Sequence, residues 1–146
     1  MRRSRFVLLT LFCCMITARC ISTYETKSLE KVNVALKKHL GFELETNPEG
    51  QINLYYEGFR DYDIRYIRIP YTDEVVHEIK VNNPDLKKLF SAPDIKIDDA
   101  PDWFQYSHHD LLYKKEDFLD QKTFSELYLW RGKDLRYIYI YVHFFD

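Results

Sequence analysis

The sequence predicts an α+β fold, a single antiparallel sheet of about five strands with two or three helices packed on one face, and three observations predict it. Runs in which apolar and polar residues alternate with period two recur between residues 42 and 145. One stretch near residue 30 instead repeats its apolar residues at helical spacing. Proline, glycine and asparagine punctuate these runs, and no repeat, low-complexity tract or linker separates them, so they belong to one layered domain.

The chain has 146 residues, one domain's worth. Residues 1–20 have the three-part layout of a secretory signal: Arg2, Arg3 and Arg5, an apolar run from Phe6 to Ile16, then Thr17, Ala18, Arg19 and Cys20. The run is too short for a membrane-spanning helix, which needs roughly 20 residues. The expectation is export, with residues 21–146 as the mature α+β domain. A bacterial lipoprotein signal ends in a lipobox directly before a cysteine that becomes acylated. Thr17 and Ala18 fit that pattern and Arg19 departs from it, so lipidation at Cys20 competes with ordinary cleavage after Cys20 or Ser22.

All three cysteines, Cys13, Cys14 and Cys20, lie in or beside the signal, so the mature domain has neither a disulfide nor a thiolate metal site. Its stability must come from packing. Taking Arg2, Arg3, Arg5 and Arg19 from the 21 basic residues leaves 17 against 23 acidic ones, a formal charge of −6 in place of −2. Phosphate neutralisation needs a basic patch, so a nucleic-acid partner is not expected.

Ser28 reads as a helix N-cap, followed by Leu29, Val32, Leu36 and Leu40 at helical spacing, basic residues in the last turn and Gly41 as the stop. Phe42 and Leu44 then alternate into a turn at Asn47–Gly50, and Ile52, Leu54 and Tyr56 alternate out of it, which predicts a first hairpin. Tyr62 to Ile69 gives a third strand, with Ile67 and Ile69 on one face, Ile64 and Tyr66 on the other, and Pro70 at its end.

Val75, Val76, Ile79 and Val81 would suit a strand, but Thr72 followed by Asp73 and Glu74 is a helix start, and a short helix is the better reading. Asn83 and Pro84 open a further short helix through Leu86, Leu89 and Phe90. Ser91 to Pro101 reads as an extended surface loop. Trp103, Phe104, Tyr106 and the apolar residues up to Phe118 plug an edge of the core.

The final hairpin, Phe124 to Phe145, has two unlike faces. Ile138, Ile140, Val142 and Phe144 share one with Leu127 and Leu129, while Tyr137, Tyr139, Tyr141 and His143 share the other with Tyr128 and Trp130. The first row is a core. The second is either a surface that binds protein or sugar, or a second core layer.

No catalytic signature accompanies these elements. The run His108, His109, Asp110, near Glu116 and Asp117, holds two imidazoles and a carboxylate, but neighbours on an extended chain point apart and no His-x-x-x-His spacing accompanies them. Asp94, Asp98, Asp99 and Asp102 lack the alternation and central glycine of a calcium loop. No serine sits in a nucleophile elbow, and four glycines form no phosphate cradle. Catalytic residues, a metal site and a cofactor are therefore not expected.

From Tyr66 onward, the order of parts resembles that of small bacterial secreted proteins and lipoproteins: a strand, a helix opened by an acid pair, an extended loop, Pro101-Asp102-Trp103-Phe104, Tyr113, and a tyrosine-rich terminal hairpin. The resemblance implies an envelope address and no particular activity. The function expected is a non-catalytic secreted or cell-envelope module that binds another protein through Trp103, Phe104, Tyr128, Trp130, Tyr137, Tyr139 and Tyr141, touching a membrane only through a lipid at Cys20. An inhibitor or immunity-type protein is a specific version, since an acidic surface steers towards a basic enzyme. The rival is a small secreted hydrolase using His108, His109 or Asp110. A third reading, a component of a larger envelope complex, predicts a sheet edge open to another chain.

Overall fold

A computed structural model describes residues 22–46, 51–59, 62–84, 97, 99–118 and 124–145, giving backbone alone for Phe59, Phe124 and residues 107–118. The signal, Cys20, the Asn47–Gly50 turn, the helix expected after Pro84, and Asp94 and Asp98 lie outside the described residues.

The fold is α+β. Six antiparallel strands form one sheet: β1 (Ser22–Thr26), β2 (Asn53–Phe59), β3 (Tyr62–Pro70), β4 (Tyr106–Phe118), β5 (Phe124–Gly132) and β6 (Tyr137–Phe145), in spatial order β1-β2-β3-β6-β5-β4. Two helices, α1 (Leu29–Leu40) and α2 (Asp73–Asn82), cover one face. Two of the six strands are not expected from the sequence: β4, whose residues read as an edge plug, and β1, whose polar residues carry no amphipathic signal because this edge strand is largely exposed.

α1 begins after Ser28 and stops at Gly41, whose φ of +73° is the left-handed conformation that glycine enters without a Cβ penalty. Its buried stripe, Val32, Ala35, Leu36 and Leu40, packs on Leu54, Ile67, Ile69, Leu127, Leu129, Ile138, Ile140 and Val142. The Thr72 hydroxyl caps α2 by accepting from the Val75 N–H at 3.1 Å. At the other end Asn83 Nδ2 donates to the Leu40 carbonyl at 2.7 Å and the Ile79 carbonyl at 3.0 Å, fastening the two helix C-termini together.

The expected hairpin of Phe42–Leu44 with Ile52–Tyr56 does not form. β1 occupies that side of β2, pairing Tyr24 with Tyr56 and Thr26 with Leu54. The backbone of Leu44 is satisfied instead by one side chain: Asn33 Nδ2 donates to its carbonyl and Asn33 Oδ1 accepts from its N–H, both at 2.9 Å. Residues 42–46 therefore hang from α1, beside α2.

The terminal hairpin pairs its rows as expected, Leu127 opposite Val142, Tyr128 opposite Tyr141, Leu129 opposite Ile140 and Trp130 opposite Tyr139. Its turn carries Leu135 at φ +61°, half exposed at 52%, with its N–H donating to the Gly132 carbonyl at 2.9 Å. A side chain in the left-handed region costs about 1–2 kcal/mol. Leu135→Gly is expected to stabilise the fold by about 0.5–1 kcal/mol, read as a higher urea midpoint with an unchanged slope.

The outer strands carry devices that discourage edge pairing. β1 has only five residues. In β4, Tyr106 opposes Gly132 and Leu111 opposes Trp130, so four intervening residues of β4 face one of β5. That bulge is where His108, His109 and Asp110 sit, within a stretch that reads in sequence as an edge plug rather than a strand.

Candidate functional site

The aromatic face comes together as a second core. Tyr66 from β3, Tyr128 and Trp130 from β5, and Tyr139 and Tyr141 from β6 pack with Phe104, and Trp103, Tyr106 and Tyr137 join at the margin. Phe104 is the plug: it meets Tyr66 at 5.1 Å, Tyr139 at 5.3 Å and Trp130 at 6.2 Å, each near edge-to-face. It is only 5% exposed. Its backbone is held by a turn in which the Phe104 N–H donates to the Pro101 carbonyl at 2.7 Å. Burial pushes the Tyr66 hydroxyl up to about 12 and raises those of Tyr139 and Tyr141.

Of the residues expected to bind, Phe104, Tyr128, Trp130, Tyr139 and Tyr141 are buried, and Trp103 and Tyr137 are half-buried. The row is a core layer covered by the 100–106 strap, with no open aromatic platform among these residues. The Arg68 guanidinium completes its margin, 4.7 Å from the Tyr137 ring centre and 5.8 Å from that of Trp103. The side chains of His108, His109, Asp110 and Glu116 lie outside the described residues.

On the helix face, a charged seam joins α1 to β3. Arg65 Nη1 donates to His39 Nε2, and Arg65 Nη2 pairs with Asp63. Burial, then the charges of Arg65 and Lys38, hold the His39 imidazole down to about 3. Burial raises the Asp63 carboxyl, opposed by Arg65 and Lys38. The Arg65 guanidinium also lies over Tyr56, which packs on Tyr24 at 5.1 Å.

A concave surface open to a ligand lies elsewhere. Residues 42–46 and α2 enclose a groove of about 530 Å³, with Phe42, Leu44, Pro70 and Val75 supplying apolar lining. Glu43, Glu45, Glu74 and Glu78 supply carboxylates. Glu74 and Glu78 stand one turn apart on the same helical face. Lys37 Nζ pairs with Glu43 at 2.6 Å in an exposed contact, and Asn82 Nδ2 donates to Glu78 Oε2 at 3.2 Å.

The sequence reading missed this groove, although a signal was present. Glu43 and Glu45 alternate with Phe42 and Leu44, a pattern that reads as a sheet strand, and Glu74 reads as helix polarity, while its one-turn spacing from Glu78 carries the signal. Among the described residues, no group of three or more His, Cys, Asp or Glu is close enough to hold a metal ion, and no helix is long and apolar enough to cross a membrane. No family model, no curated protein and no solved structure matches the chain.

Proposed function

We propose that this protein is a non-catalytic binding module of the secreted or cell-envelope space, whose partner is another protein docked in the groove between residues 42–46 and α2. The observation that carries this reading is the groove itself: an apolar lining under a polar rim, in a volume of about 530 Å³, is the anatomy of a recognition site. The export signal and Cys20 support the address, with a lipid at Cys20 as the one membrane contact. The acidic balance of the mature chain argues against nucleic acid.

A photo-crosslinking residue placed at Val75, in the native host, tests the reading against the same residue at Val34, exposed on α1. The expected result is one discrete protein adduct from position 75 and none from position 34. Equal labelling from both positions would sink the proposal.

A further inference from the structure

We infer that the groove's occupant is a cationic peptide segment of its partner, two or more Lys or Arg flanking one apolar side chain; this rests on the reading of the groove as a docking site. The apolar lining and the carboxylates ask for different parts of one ligand. Leu44 and Val75 are half-buried and continuous with the helix-face core, so a ligand side chain seated on them leaves water and joins apolar packing that already exists. Glu43 and Glu45 come from one wall of the groove and Glu74 and Glu78 from the other.

Charge complementarity selects the ligand's remaining groups. An anionic segment would meet carboxylates on both walls, whereas a cationic one gains from Glu45, Glu74 and Glu78, Glu43 already being paired with Lys37, and is steered to the site by the mature chain's net negative charge. A single metal ion is the other ligand carboxylates suggest. It needs several of them converging at one point, and no such convergence occurs among the described residues. Carboxylates spread over two walls instead match charges spread along a peptide. Arginine adds bidentate contacts that lysine cannot make.

The test is an amide-resolved NMR titration of the mature domain with three synthetic pentapeptides: Lys-Lys-Leu-Lys-Lys, Lys-Lys-Gly-Lys-Lys and Glu-Glu-Leu-Glu-Glu. The leucine peptide is expected to move the amides of residues 42–46 and 72–78. It should bind about tenfold more tightly than the glycine peptide, from burial of one leucine, and the acidic peptide should not bind. Glu74→Gln with Glu78→Gln is expected to weaken binding at least about fivefold with only a small drop in the unfolding midpoint, because both side chains are exposed and lose only the helix-pole charge of Glu74 and part of the Asn82 contact of Glu78.

Binding of the acidic peptide, shifts scattered away from the groove, or calcium alone reproducing and displacing the peptide shifts would overturn the inference. A discrete adduct from position 75 together with peptide failure would mean that the groove docks a partner of other chemistry. Failure of both would remove the docking site as well.

Discussion

Phe104→Ala is expected to destabilise the protein by about 3–5 kcal/mol, the range for emptying a buried aromatic site. The ring plugs a face on which Tyr66, Trp130 and Tyr139 all turn towards it, so its loss leaves a cavity walled by rigid rings. It also loosens the strap, which then rests on Ala100, the half-buried Trp103 and Tyr106, the last with its ring 4.6 Å from that of Trp130. Phe104→Leu separates two effects. It restores most of the volume but not the edge-to-face geometry, and should recover all but about 1–2 kcal/mol. Equilibrium urea unfolding, followed by tryptophan fluorescence and far-ultraviolet dichroism, measures both variants. A loss below about 1 kcal/mol for the alanine variant would mean that the strap is dispensable and the tyrosine row stands alone.

Acid is expected to weaken the fold well before most carboxylates titrate, and His39 is the cause. Its Nε2 accepts a hydrogen bond from Arg65, a role open only to the neutral ring, and burial holds its folded value near 3 against an ordinary value of 6.5. Between those two values the unfolded chain takes up a proton that the folded chain refuses, so stability is complete above about pH 6.5 and falls as pH drops towards 3. The loss across that window is on the order of 3–5 kcal/mol.

Asp63 works in the opposite sense. Its raised carboxyl takes a proton more readily in the fold than in the unfolded chain, which offsets part of the loss at the acid end. His143 is lowered by burial and adds to the loss. His39→Gln retains an acceptor for Arg65 and cannot be protonated, so its stability should change far less between pH 6.5 and 4. Urea midpoints measured across that range decide the matter. Parallel curves for the two proteins would show that the seam is not the acid-sensitive element.

The parts legible in the sequence were those where local pattern and final environment agree. The strict alternation from Tyr137 to Phe145 dictated which row of β5 each of its rows opposes and made the aliphatic row a core face. Thr72, Asp73 and Glu74 settled α2 against the β-branched residues that follow, because a cap and two acids at the favourable pole act locally.

What the sequence concealed depended on long-range partners. Phe42 and Leu44 alternate like a strand, yet Asn33, eleven residues upstream, takes over the hydrogen bonds of Leu44. The polar stretch Ser22–Thr26 gave no sign of being a strand, because an edge strand needs no apolar face. For the aromatic row, composition fits a binding surface and a core layer equally well, and what decides between them is a seven-residue strap that sequence pattern does not place.

The strand order has a consequence for how the molecule is made. β6 is the last described strand, yet it lies in the middle of the sheet, with β3 on one side and β5 on the other. Tyr62 opposes Phe145 across 82 residues of intervening chain, so the two halves of the sheet cannot join until β6 has been synthesised. A nascent chain lacking β6 keeps two strand edges and both apolar faces open, a form that cannot complete its core. The topology is itself a delay: completion of the sheet waits for β6, however early the other strands are made.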